Sequence, residues 1–135
     1  MRMFCACVVA LLAGCVASGV QERPFLPMLP PPESGQDEIF LTAAFGGVLK
    51  VDQGCIKVVS PNGHSTRTVL WHHGTELGRD ASGMFLRNAK TGTVYRFGTR
   101  IEFGGGEMPD QWVRQRFPNV AQRCAGPYAS GWLPG

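Results

Sequence analysis

Signatures of catalysis are what this sequence has least of. Along its 135 residues there is no G-x-S-x-G elbow, no C-x-x-C pair, and no Lys-Ser/Thr behind the run Gly104-Gly105-Gly106. The usual sequence grounds for a serine hydrolase, a dithiol redox centre or a phosphate-binding loop are therefore missing. Charge is also scarce, at 17% of residues with a formal net +3, too little to build the strong positive field that nucleic acid demands. Long stretches of helical period are lacking as well. Glycine (18) and proline (10) are abundant instead, and a chain so punctuated favours short elements joined by many turns. The length suits one domain, and a second independent core is not expected.

The first residues carry an address. Arg2 provides a small positive start and Met3–Leu12 is uncharged and apolar, the length of the hydrophobic region of an export signal. Directly behind it stands Leu12-Ala13-Gly14-Cys15. This tetrapeptide resembles the lipobox of bacterial lipoproteins, and the resemblance implies diacylglyceryl attachment to Cys15 with cleavage before it. Loss of Arg2 with residues 1–14 then lowers the net charge to +2, from 12 Lys+Arg and 10 Asp+Glu. Acyl chains such as palmitate contribute about 0.8 kcal/mol per buried methylene, and two chains anchor a protein stably. Val16, rather than Asp, follows the cysteine; by analogy with Gram-negative lipoproteins this implies the outer membrane, facing the periplasm. Two other readings of the segment stay open: an uncleaved anchor over Met3–Val20, and an ordinary secretory signal cut near Ala17. All three export the remainder.

From Val16 to Asp37 the chain contains Pro24, Pro27, Pro30, Pro31 and Pro32 with no alternating or helical period. Such a density of proline excludes a helix or a central strand, and residues 15–37 are read as a lipidated start and a semi-rigid extended spacer. Phe25, Leu26, Met28 and Leu29 are more apolar than a spacer requires, which leaves open their packing on the domain or on a partner.

Residues 38–135 read as an all-β, mainly antiparallel domain. Strands are expected near Gly47–Val51, Cys55–Val59, Thr66–Trp71, Gly83–Arg87, Thr93–Phe97 and Arg100–Phe103. Ser60-Pro61-Asn62-Gly63 and Asn88–Gly92 supply tight reversals. A small sheet hides its apolar face and its edges by closing on itself, so an OB-like barrel of five or six strands is expected. The three consecutive glycines read as a turn ending the last strand. A short C-terminal helix is expected over Pro109–Phe117, with Trp112, Val113 and Phe117 on one face and Pro118 stopping it.

Of five cysteines, Cys5 and Cys7 leave with the signal and Cys15 takes lipid. Cys55 and Cys124 remain, an even pair in an exported domain, and a disulfide between them is expected. The sparse candidates for binding are Trp71, His72 and His73 in one run, and Trp112, Arg114 and Arg116 in another. Two adjacent histidines share a metal only in a loop, and without a nearby carboxylate or thiolate they make an incomplete site, so neither metal nor cofactor is expected. The acids Asp52, Glu76, Asp80, Glu102, Glu107 and Asp110 are scattered.

The combination Gly54-Cys55-Ile56-Lys57-Val58, Trp71, Gly74–Leu77, Gly98–Glu107 and Cys124–Tyr128 is similar to small uncharacterised lipoprotein domains of proteobacteria. It implies a glycine-punctuated barrel with a clasping disulfide, and no catalytic residue. The functional expectation is a non-enzymatic lipoprotein, tied to the membrane through its lipid, whose domain binds an envelope protein or glycan. The alternatives are a periplasmic inhibitor or immunity protein that plugs an enzyme with an exposed Trp71–Leu77 loop, and a small envelope hydrolase using acidic side chains.

Overall fold

The computed structural model describes residues 22–135; the lipobox and Cys15 lie outside the described residues. Eight strands form. β1 (Ala43–Asp52), β2 (Cys55–Val59), β3 (Thr66–Trp71), β7 (Arg100–Met108) and β8 (Tyr128–Trp132) close into a barrel in the order β1-β2-β3-β8-β7. This is the OB-like five-stranded barrel expected. β4 (Thr75–Asp80), β5 (Gly83–Asn88) and β6 (Val94–Arg96) make a separate antiparallel sheet. Between β7 and β8 come two short helices, α1 (Asp110–Arg116) and α2 (Pro118–Arg123).

Turn chemistry sets the hairpins. Gln53 and Gly54 both take positive φ, 50° and 77°, the backbone of a two-residue reversal that matches strand twist. At the second expected turn the Asn88 side chain accepts the Lys90 and Thr91 amides at 3.0 and 3.3 Å, so the reversal into β6 is fixed locally. Alternation sets the faces. Ile101 and Phe103 are buried while Arg100 and Glu102 are exposed, as a two-faced strand requires.

β3 is buried on both faces. Val69 and Trp71 join Leu49, Ile56, Val58 and Phe103 in the barrel core, whereas Leu70 joins Cys55, Met108, Val113, Val120 and Cys124 in a second cluster under the helices. Period-two geometry sends neighbours to opposite sides, and here both sides are covered. Each of Val113 and Val120 is essentially inaccessible and contributes about 1.5–3 kcal/mol by burial.

Several expectations are corrected. The strands expected near Gly83–Arg87 and Thr93–Phe97 exist, but they belong to the outer sheet and not to the barrel. The barrel's remaining strand is β8, which pairs parallel to β3 and antiparallel to β7. Gly104, Gly105 and Gly106 do not end a strand: they lie inside β7, paired with Ala44 and Ala43 of β1 and with Trp132, Gly131 and Ser130 of β8. A Cβ on Gly105 would overlap the Ser130 carbonyl, one on Gly104 the Trp132 indole, and one on Gly106 the Leu41 side chain. Proximity to neighbours explains these glycines better than turning does. Pro118 stops α1 but also opens α2, where its fixed φ suits the first helical position.

The proline-rich segment read as a spacer is part of the fold over Phe25–Leu29. Phe25 bridges Cys55 and Met28 bridges Trp71. The Phe25, Leu29, Ile56 and Trp71 amides find partners across this contact at 2.8–3.0 Å. Leu26 and Met28 pack on the barrel core, Phe25 and Leu29 on the second cluster. No helix among the described residues is long and apolar enough to cross a membrane.

Candidate functional site

The expected disulfide is present. Cys55, at the start of β2, and Cys124, just after α2, are joined with a Cα separation of 5.9 Å. It fastens the helical segment to the barrel beside the docked Phe25.

The two residue groups singled out in the sequence meet different fates. Trp71 is a core residue with no exposed surface, and its indole N–H has no acceptor. It is not a binding residue; the side chain faces the barrel interior because β3 is buried on both sides. The exposed Trp71–Leu77 loop expected for an inhibitor is reduced to a short turn: β3 runs to Trp71, β4 begins at Thr75, and between them only His73 and Gly74 are exposed. His72 is nearly inaccessible and His73 is exposed. Both are brought to one carboxylate that the sequence reading did not connect with them, Glu38. Its Oε1 lies 2.7 Å from His72 Nδ1 and 3.3 Å from His73 Nδ1.

Glu38 begins a strap, residues 38–41, that crosses the barrel before β1. Phe40 stacks on the His72 ring at 4.8 Å and 13° and meets Trp132 edge-on at 5.8 Å. The Trp132 indole donates to the Leu41 carbonyl at 2.8 Å. The glycines of β7 make room: Trp132 lies over Gly104 and Leu41 over Gly106. Burial raises the Glu38 carboxyl, but hydrogen bonds from His72 and His73, with their positive charge, outweigh it and hold the group below the usual carboxylate range.

Two hollows flank the strap. On one side lies an apolar groove of about 450 Å3, lined by Leu29, Ile39, Leu41, Met108, Pro109 and Trp112, with His72 at its floor. On the other lies a hollow of mixed character, about 340 Å3, lined by Glu38, His73, Asn88 and Lys90 together with Phe40 and Trp132. Ile39 is 77% exposed, Leu41 45% and Trp112 40%, so exposed apolar side chains gather at one groove. On α1, Arg116 lies over the Trp112 ring at 5.6 Å and Arg114 is exposed. Trp112 does not share the buried face of Val113; Phe117 is half-buried and meets Trp112 edge-on.

Among the described residues no group of His, Cys, Asp and Glu is arranged to hold a metal ion. The scattered acids do not converge as a catalytic pair. Asp52, Glu76, Asp80, Glu102 and Glu107 each face a basic partner, namely Lys57, Arg87, Arg96, Arg100 and Arg67. Asp110 sits in the first turn of α1, where a negative charge suits the helix dipole.

Sequence reasoning missed Glu38, Ile39, Leu41 and Trp132. The apolar run Ile39-Phe40-Leu41 directly after a polar stretch was the available signal. No protein family, no curated protein and no solved structure matches this chain.

Proposed function

We propose that the chain is a lipoprotein of the bacterial envelope, acylated at Cys15, which binds an apolar segment of another envelope protein in the groove beside the strap. It is held in the outer membrane facing the periplasm and performs no catalysis. The observation that carries the binding reading is the exposed trio Ile39, Leu41 and Trp112 around one groove. Trp, Met and Arg are the residue types enriched at the centres of protein interfaces, and Trp112, Met108, Arg114 and Arg116 meet there or on the adjoining helix. A glycan favours polar partners with an aromatic platform, and the groove's lining is mainly apolar, with His72, Glu107 and Ser130 its polar members.

A photo-crosslinking side chain at Ile39, introduced into the chain expressed in its native envelope, tests this. The expected result is one protein adduct that disappears in Trp112→Ala and does not form from the same probe at Val94, an exposed apolar residue on the outer sheet. Absence of a site-specific adduct, or sedimentation with purified cell-wall glycan that survives Trp112→Ala, overturns the protein reading. Intact mass of the membrane-purified chain tests the address: acyl mass on a chain beginning at Cys15 supports it, and an unmodified chain refutes it.

A further inference from the structure

The docked Phe25–Leu29 segment changes what the amino-terminal stretch can do. Phe25 N–H donates to the Gly54 carbonyl at 2.8 Å, and Ile56 N–H donates to the Phe25 carbonyl at 3.0 Å. The chain therefore leaves the domain beside the β1–β2 turn. Glu22 stands only seven residue steps after Cys15. Fully extended they reach about 25 Å, less than the roughly 35 Å width of a domain this size. A lipid on Cys15 keeps this end of the barrel close to the bilayer.

That end is basic. A depression of about 540 Å3 is lined by Arg23, Arg79 and Arg123 together with Glu22, Gln53 and Val51. Three positive charges against one negative leave the patch at +2. Arg23 donates to the Leu77 carbonyl at 2.7 Å, and the Arg123 guanidinium lies 4.0 Å over the Phe25 ring. Neither contact neutralises charge. The ion pairs among the described residues engage Lys57, Arg67, Arg87, Arg96 and Arg100, and none of these three arginines. Val51, 40% exposed on the same rim, adds an apolar side chain suited to the headgroup boundary.

We infer that this face is a membrane-docking surface on which Arg23, Arg79 and Arg123 engage anionic phospholipid headgroups. The inference rests on the proposed acylation of Cys15 and adds an orientation to it: the barrel is held against the bilayer by its β1–β2 end. Arginine is suited to this contact, because its planar fork pairs two donors with one phosphate.

The test uses the full mature chain purified from membranes, its mass first read for acylation, then reconstituted on vesicles of phosphatidylcholine alone or with about one-third phosphatidylglycerol. Phenylglyoxal modification is followed by mass spectrometry at Arg79 and Arg123, with the exposed Arg114 of α1 as the internal reference. The expected result is several-fold slower modification of Arg79 and Arg123, relative to Arg114, on the anionic vesicles only, and its loss near about 1 M salt. Arg79→Gln, a change at an exposed side chain, should reduce the protection of Arg123 about fivefold. Equal rates on both vesicles overturn the docking surface while an acylated mass leaves the lipoprotein reading standing. Equal slowing on both also overturns it, since something other than anionic lipid then covers the face. An unmodified Cys15 removes the anchor and with it both readings.

Discussion

Glu38 shows how one side chain organises its surroundings. It draws the strap down onto two histidines that adjacent strand positions would ordinarily send apart, because His72 and His73 lie just beyond the end of β3. Its carboxyl is held below the usual range, so folding favours the ionised form. The corresponding stabilisation is present above the ordinary carboxylate range and is lost as pH falls through the lowered folded value. Trp132, bonded to Leu41, should report this. Its fluorescence is expected to change as the pH falls below the ordinary carboxylate range, and that component should be absent in Glu38→Gln; an identical acid profile in the variant would show that Glu38 does not hold the strap. Nothing in the sequence linked Glu38 to His72, since contact across 34 positions leaves no local trace. Trp71 was misread for the complementary reason. An aromatic beside two histidines looks like a surface cluster until both faces of β3 are known to be covered.

Among the elements, β7 is the most constrained. Its glycines let β8 and the strap approach a strand that side chains would hold apart. Gly105→Ala is therefore expected to destabilise the domain by about 1–3 kcal/mol, as overpacking does, read as a lowered midpoint in urea unfolding with an unchanged slope. An unaltered midpoint would mean that β8 shifts freely. The elements that local pattern revealed were those with turn chemistry and alternation of their own, such as β2, β5 and the Ile101–Phe103 part of β7. β4 was missed because Glu76, Gly78, Arg79 and Asp80 are poor strand formers, and it exists through its six-residue register with β5. Tyr128–Trp132 carried no strand signal of its own for a similar reason. Small residues are tolerated there because partners on both edges supply the ladder.

For the molecule as a whole, closure depends on ties between distant parts of the chain. The Cys55–Cys124 bond spans 69 positions, a loop whose closure in the unfolded chain is worth about 4 kcal/mol by chain entropy. Reduction, or the paired change Cys55→Ser with Cys124→Ser, should lower unfolding free energy by about that amount. Denaturant titrations with and without reductant measure it, and coincident curves would show that helix packing alone fastens this segment. The same tie lies beside the docked Phe25, whose ring sits under Arg123, so the clasp also serves the end from which the chain departs.

The sequence by itself determined the β class, the main hairpins, the disulfide and the tendency to close, because these follow from residue type, turn chemistry, strand period and cysteine parity, all of which act locally or by counting. Tertiary structure alone decided which strands form the barrel, that the proline-rich segment docks on it, and that Glu38, Ile39, Leu41, Trp112 and Trp132 line the two hollows beside the strap. Those choices depend on which faces and edges remain uncovered after every other element has packed, a condition that no short window of residues contains.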